Sequence, residues 1–215
     1  MKRLVCYLAI PATMAAALLV SAFFGRASAH HTQASSVVRV EEDWMLIVTV
    51  PDFDTAAPQV STQMKRSPNA LHFCNLHLNA RDIPNYGEGG LQLEVWQDTN
   101  SVGSATSESL AVMNTPNEVV TWTQYLRQDS LGQNLYFGIS AASSQTWGDF
   151  SGKEVPLPAG NASLDWYSVD YSVQNSGVTY AANRVFYFAI TAVRTYYADG
   201  TMTTDPTERI IYSHP

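Results

Sequence analysis

The sequence predicts an all-β protein, an antiparallel β-sandwich, and three observations lead there. Segment after segment alternates polar and apolar residues with β-branched and aromatic enrichment, the two-residue period of a half-buried strand. Clusters of Gly, Asn, Asp, Ser and Pro separate these segments at fairly even spacing. Few stretches carry the 3.6-residue spacing of an amphipathic helix. Roughly eight to twelve short strands of this kind stack as two sheets. A concanavalin-like jelly roll suits the length better than the alternative, an immunoglobulin-like sandwich of about 100 residues. No internal repeat marks a propeller or solenoid.

Taken in order, "SSVVRVEEDWMLIVTVPDFD" supplies an opening strand or pair of strands ending at Pro51, which has no N–H to give a ladder. "NALHFCNLHLNAR" is the next. "GGLQLEVWQD" follows, with Leu91, Leu93 and Val95 facing inward and Gln92, Glu94 and Trp96 on the other face. "EVVTWTQYLRQD" and "QNLYFGISAA" form a hairpin about "DSLGQN", where Gly132 suits the turn. "NSGVTYAANRV" joins strands, its Asn and Gly residues fitted to tight backbone. The strongest hairpin is "NRVFYFAITAVRTYYADGTMTT", turning at Asp199-Gly200, and "RIIYSHP" closes the sheet.

Residues 1–29 have the make-up of a secretory leader. Lys2 and Arg3 precede the apolar run "ATMAAALLVSAFF", and Ala27-Ser28-Ala29 offers small residues for cleavage after Ala29. Leu4 to Phe24 is also long enough for an uncleaved anchor, but Pro11 interrupts it and the cleavage signal follows at once. The expected organisation is a signal peptide over 1–29, a flexible segment over 30–36 and one β-sandwich domain over 37–215, in a secreted or extracytoplasmic protein. No later stretch is apolar enough to insert in a membrane after cleavage.

Removing residues 1–29 takes three of the 12 basic residues and none of the 19 acidic ones. The strongly acidic remainder excludes nucleic acid as an expected partner, because phosphate binding needs clustered Lys and Arg. Cys6 leaves with the leader, so Cys74 has no intrachain disulfide partner, and its apolar setting "LHFCNLHL" predicts a buried, inert thiol.

The blocks "VEEDWMLIVTVPD", "APQVSTQM", "GGLQLEVWQ", "VVTWTQYLRQD", "SSQTWGDF" and "SGVTYAANRVFYFAITAVR" resemble recurring segments of a group of uncharacterised secreted proteins of planctomycete-type bacteria. The resemblance implies one exported domain and transfers no catalytic residue. "TWTQYLRQDSLGQNLYFGIS" is also similar to the tryptophan-led strand pairs of concanavalin-like and laminin-G-like domains.

Candidate chemistry is sparse. Cleavage after Ala29 makes His30 the first residue, and an amino-terminal histidine chelates copper through its amine and ring, with His72, His77 or His214 as a possible second ligand. That arrangement is similar to copper-dependent polysaccharide monooxygenases. Against it, His72 and His77 are an odd number of residues apart and point to opposite faces of one strand. Asp52 and Asp54 are weak candidates for calcium. Zinc motifs and a G-x-S-x-G elbow are absent from the sequence. No cofactor is expected. Paired carboxylates of the kind glycosidases use are represented by Glu41, Glu42 and Asp43 and by Asp165 and Asp170, which read as solvated side chains.

The surplus is aromatic: five Trp and 11 Tyr. Exposed rings stack on sugar faces. Trp147 in "SSQTWGDFSG" is placed for presentation by a loop, and Trp96 shares a face with Gln92 and Glu94; these four are the candidate binding residues. Trp44, Trp122 and Trp166, in apolar company, read as core. Arg184 and Arg194 are expected in ion pairs and the tyrosines of "VFYFAITAVRTYY" in cross-strand pairs. The function predicted is a non-enzymatic binding module for carbohydrate or a cell-envelope partner. The alternatives are a polysaccharide-active enzyme, of hydrolase or lyase type, and a structural envelope protein. The oligomeric state is left open.

Overall fold

A computed structural model describes residues 35–214 apart from residues 86, 88 and 158–161. The leader, its cleavage after Ala29, and His30 lie outside the described residues. In chain order the elements are β1 (Val37–Val48), β2 (Val60–Met64), β3 (His72–Leu78), β4 (Leu91–Gln97), β5 (Asn100–Glu108), β6 (Glu118–Gln128), β7 (Leu135–Ser144), β8 (Gly148–Asp149), β9 (Glu154–Leu157), α1 (Val169–Asn175), β10 (Gly177–Val178), β11 (Val185–Tyr197), β12 (Met202–Asp205) and β13 (Arg209–Ser213).

The strands form two antiparallel sheets in a sandwich. The large sheet runs β12-β11-β1-β6-β7-β8, with β13 also on β11 and β9 also on β7. The small sheet runs β10-β2-β3-β4-β5. The core lies between them because the strand period turns alternate residues inward. From β1 come Val40, Trp44, Leu46 and Val48, from β4 Leu91, Leu93 and Val95, and from β3 Cys74, Leu76 and Leu78. Trp44 stacks on Trp122 with ring centroids 5.8 Å apart and planes 3° from parallel, and on Phe188 at 5.2 Å. This trio is the aromatic centre of the large sheet's inner face. Burial raises the pKa of the Cys74 thiol, so it stays protonated and unreactive.

Both hairpins form where the turn residues place them. β6 and β7 pair across Asp129, whose carboxylate accepts the backbone N–H groups of Leu131 and Gln133 at 3.2 and 2.8 Å. β11 and β12 turn through Gly200, whose φ of 84° is a left-handed conformation open to glycine without strain. β13 pairs with β11 as the closing strand.

Six elements are additional to the sequence reading: β2, β5, the short β8, β9 and β10, and the helix α1. β2 and β5 carry mostly small polar residues, "VSTQM" and "NSVGSATSE", so their apolar signal is thin. Register with β3 and β4 fixes them instead. The helix α1 spans seven residues, too few for helical periodicity to register. Ser168 caps it by accepting the N–H of Asp170. In the connection between α1 and β11 the left-handed position falls on Ala181, at φ 45°, and not on the neighbouring Asn or Gly residues.

Candidate functional site

The side chains that point away from the core on the small sheet make a polar face with an aromatic end. Three cross-strand rows build it. Ser61, His77 and Gln92 stand side by side on β2, β3 and β4; Gln63, Asn75 and Glu94 form the next row; Phe73 and Trp96 form the last pair. The Phe73 and Trp96 rings lie almost parallel, with planes 8° apart and centroids 6.5 Å apart.

Glu94 is the hub. Its carboxylate accepts the side-chain amide of Gln92 at 2.6 Å and the indole N–H of Trp96 at 2.8 Å, and His77 Nε2 stands 3.6 Å away. On its other side His77 Nδ1 is 2.7 Å from the Ser61 hydroxyl. Burial pushes the His77 pKa down while the Glu94 charge pulls it up, and burial is the larger effect. The ring is therefore neutral at pH 7. The Asn75 side chain, 6% exposed, has an Oδ1 without a hydrogen-bond partner among the described residues.

Beside His77 and Gln92 a recess of about 320 Å³ is lined also by Gln59, Ala80, Arg81 and Asp82. Arg81 is fixed at its rim: its Nε donates to the Gly89 carbonyl at 3.0 Å, and its own carbonyl accepts Gln59 Nε2 at 2.6 Å.

Of the residues singled out from the sequence, Gln92, Glu94 and Trp96 are brought together here. Trp147 belongs to the large sheet, in the turn between β7 and β8. It is half-buried, edge-on to Phe150 at 5.4 Å, and its indole N–H donates to the Ala111 carbonyl at 2.6 Å. Asp52 forms an ion pair with Arg184 at 2.7 Å and accepts the N–H of Asp54 at 3.3 Å. Among the described residues no group of three or more His, Cys, Asp or Glu side chains is arranged to hold a metal ion. Ser61 is not singled out from the sequence, and His77 is named there only as a candidate copper ligand. Strand parity puts His77 on the face of Phe73, but the partnership with Ser61 needs the β2 register.

Two expectations are corrected. Trp166 is not a core residue; it is 78% exposed. Glu41, Glu42 and Asp43 are not solvated carboxylates. Glu42 is fully buried between the sheets, where it accepts hydrogen bonds from Trp44 Nε1 at 3.0 Å, Gln124 Nε2 at 2.7 Å, and the hydroxyls of Tyr167 and Ser172. Gln124 also accepts the Thr62 hydroxyl at 2.5 Å, which carries the polar chain across to the small sheet. Glu41 and Asp43 face outward but are clamped by Arg194, and Tyr196 adds a hydroxyl to Glu41 at 2.8 Å. Tyr196 thus makes a cross-strand contact between β11 and β1, with a carboxylate as its partner.

A scan of protein-family models and a search of curated proteins find no match for the chain. The arrangement itself defines the chemistry: flat apolar ring surface at one end, and fixed donors and acceptors of both kinds along the rest.

Proposed function

We propose that this protein is an exported carbohydrate-binding module whose ligand lies on the outer face of the small sheet. The observation that supports the reading best is Glu94, a carboxylate held in place by Gln92 and Trp96 beside the paired Trp96 and Phe73 rings. A sugar ring stacks its C–H face on the aromatic ledge and shares hydroxyls with Glu94 and His77. The leader-like residues 1–29 support export.

The test is calorimetric titration of the domain with soluble oligosaccharides, alongside Trp96→Ala and Glu94→Gln. Each substitution is expected to weaken binding by roughly tenfold, the effect of losing about 1.4 kcal/mol. Binding unaffected by both would remove this face as the site.

A second reading follows from the order hydroxyl, imidazole, carboxylate in Ser61, His77 and Glu94. A neutral histidine beside a serine is able to take its proton, the first requirement of a nucleophilic hydrolase. Labelling of Ser61 by a fluorophosphonate, abolished in His77→Gln, would favour hydrolysis over simple binding.

A further inference from the structure

Trp166 is the most exposed of the large apolar side chains named above, yet the turn that carries it is firmly held. Leu164 before it is buried, and the Tyr167 N–H donates to the Leu164 carbonyl at 3.0 Å. Asp165 accepts the N–H of Val37 at 2.8 Å and the Ser163 hydroxyl at 2.9 Å. The Tyr167 hydroxyl reaches Glu42 in the interior. A turn fixed at Leu164, Asp165 and Tyr167, on both sides of an exposed indole, presents the ring and does not leave it loose. Burial of so large an apolar surface is favourable, so a ring kept out of the core by its neighbours is available to a ligand.

Opposite the ring lies a second ordered turn. Ala70 N–H donates to the Ser67 carbonyl at 3.0 Å, and Ser67, Pro68 and Asn69 form with Trp166 the walls of a cleft of about 400 Å³. One wall is aromatic; the other offers a hydroxyl and an amide. None of these four residues carries a charge. That neutrality matches an uncharged ring bearing hydroxyls and fits neither a phosphate nor an acidic or basic peptide. The single aromatic also differs from the several aromatic ridges that receive proline-rich peptides.

One wall of the cleft is joined to the proposed face by the chain itself. Ser67, Pro68 and Asn69 belong to the connection between β2 and β3, and that connection runs from Lys65, whose ammonium sits 5.0 Å from the Tyr171 ring centroid, to Phe73 of the aromatic ledge. We infer that the Trp166 cleft is a second saccharide-binding point, taking one sugar ring of a chain, so that the ligand is an oligosaccharide or polysaccharide and not a monosaccharide. The choice of saccharide rests on the reading proposed above; the existence of the cleft does not.

The experiment follows the indole N–H signals of the ¹⁵N-labelled protein, assigned with Trp166→Phe and Trp96→Phe. The probes are hexasaccharides of β-1,4-linked glucose, xylose and N-acetylglucosamine, their monosaccharides, and a decamer of proline. The expected result is that one hexasaccharide shifts the Trp166 signal as well as that of Trp96. Trp166→Ala then weakens that hexasaccharide by about tenfold, and Trp166→Tyr, which keeps a ring, by less. Trp96 shifting while Trp166 stays still would overturn the second point and leave the sheet face standing. Failure of every saccharide to move either signal would overturn both. A Trp166 shift caused only by the proline decamer, or only by raising the protein concentration, would also overturn it, assigning the cleft to a peptide or to a second copy of the chain.

Discussion

The Tyr167 hydroxyl donates to the Glu42 carboxylate, tying the turn before α1 to the middle of β1. With Ser172, Gln124 and Trp44 also donating, a fully buried carboxylate is met, among the described residues, by four hydrogen bonds and no cation. Burial nevertheless outweighs the donors and raises its pKa. A raised folded-state pKa means that the group's stabilising contribution is complete below the unfolded value of 4.5 and is lost as pH rises through the folded value.

Glu42→Gln is therefore expected to be tolerated. The amide oxygen accepts from Trp44 and Gln124, and the hydroxyls of Tyr167 and Ser172 rotate to accept from the amide N–H₂. Denaturant unfolding of the two proteins at pH 4 and pH 7 checks this: the comparison should move in favour of the glutamine variant at the higher pH. Glu42→Ala strands the donors in a cavity and should lower stability by about 3 kcal/mol at pH 4 and by less at pH 7, where the wild-type carboxyl has lost part of its contribution. A glutamine variant that lost ground on going from pH 4 to pH 7 would mean that the donors, and not burial, control the carboxyl.

His77 titrates in the opposite sense. Its pKa is lowered by burial, so its contribution to stability is present above the ordinary value of 6.5 and is lost as pH falls below it. The ring Cε1–H chemical shift should give a midpoint below 6.5. Because the Glu94 charge is the influence that raises the His77 pKa, Glu94→Gln should move the midpoint lower still. A rise in the glutamine variant would contradict the geometry of the Glu94 hub.

Strand parity was the legible part of this molecule. Leu91, Leu93 and Val95 against Gln92, Glu94 and Trp96 were separable from sequence because a period of two divides one strand without any knowledge of its neighbours. The Ser61–His77 contact was not separable, since it depends on which residue of the weakly marked β2 faces β3. Local composition also misplaced Trp166 and Glu42. Trp166 lies between Leu164 and Tyr167, and the turn there sends those two inward and the tryptophan out. Glu42 has the inward parity of Trp44 and Leu46, but its charge argued for solvent until Tyr167 and Ser172, more than a hundred residues later, supplied the donors.

The outer face of the large sheet supplies the last prediction. Gly138 on β7 lies under the Tyr125 side chain of β6, its direct partner in the ladder. A Cβ at position 138 would stand 2.6 Å from the Tyr125 hydroxyl oxygen and 2.6 Å from the Lys153 carbonyl oxygen. Neither neighbour is free to yield. The Tyr125 hydroxyl donates to Glu154 at 2.6 Å, Glu154 is also gripped by Arg127, and the Lys153 carbonyl accepts the Ile139 N–H at 2.9 Å. Gly138→Ala should therefore destabilise by about 1–3 kcal/mol, the usual range for overpacking. In a Tyr125→Ala background the ring is gone and the Lys153 carbonyl remains, so the same substitution should cost less but not nothing, which a double-mutant cycle by urea unfolding measures. Equal losses in both backgrounds would place the whole conflict on the backbone of Lys153.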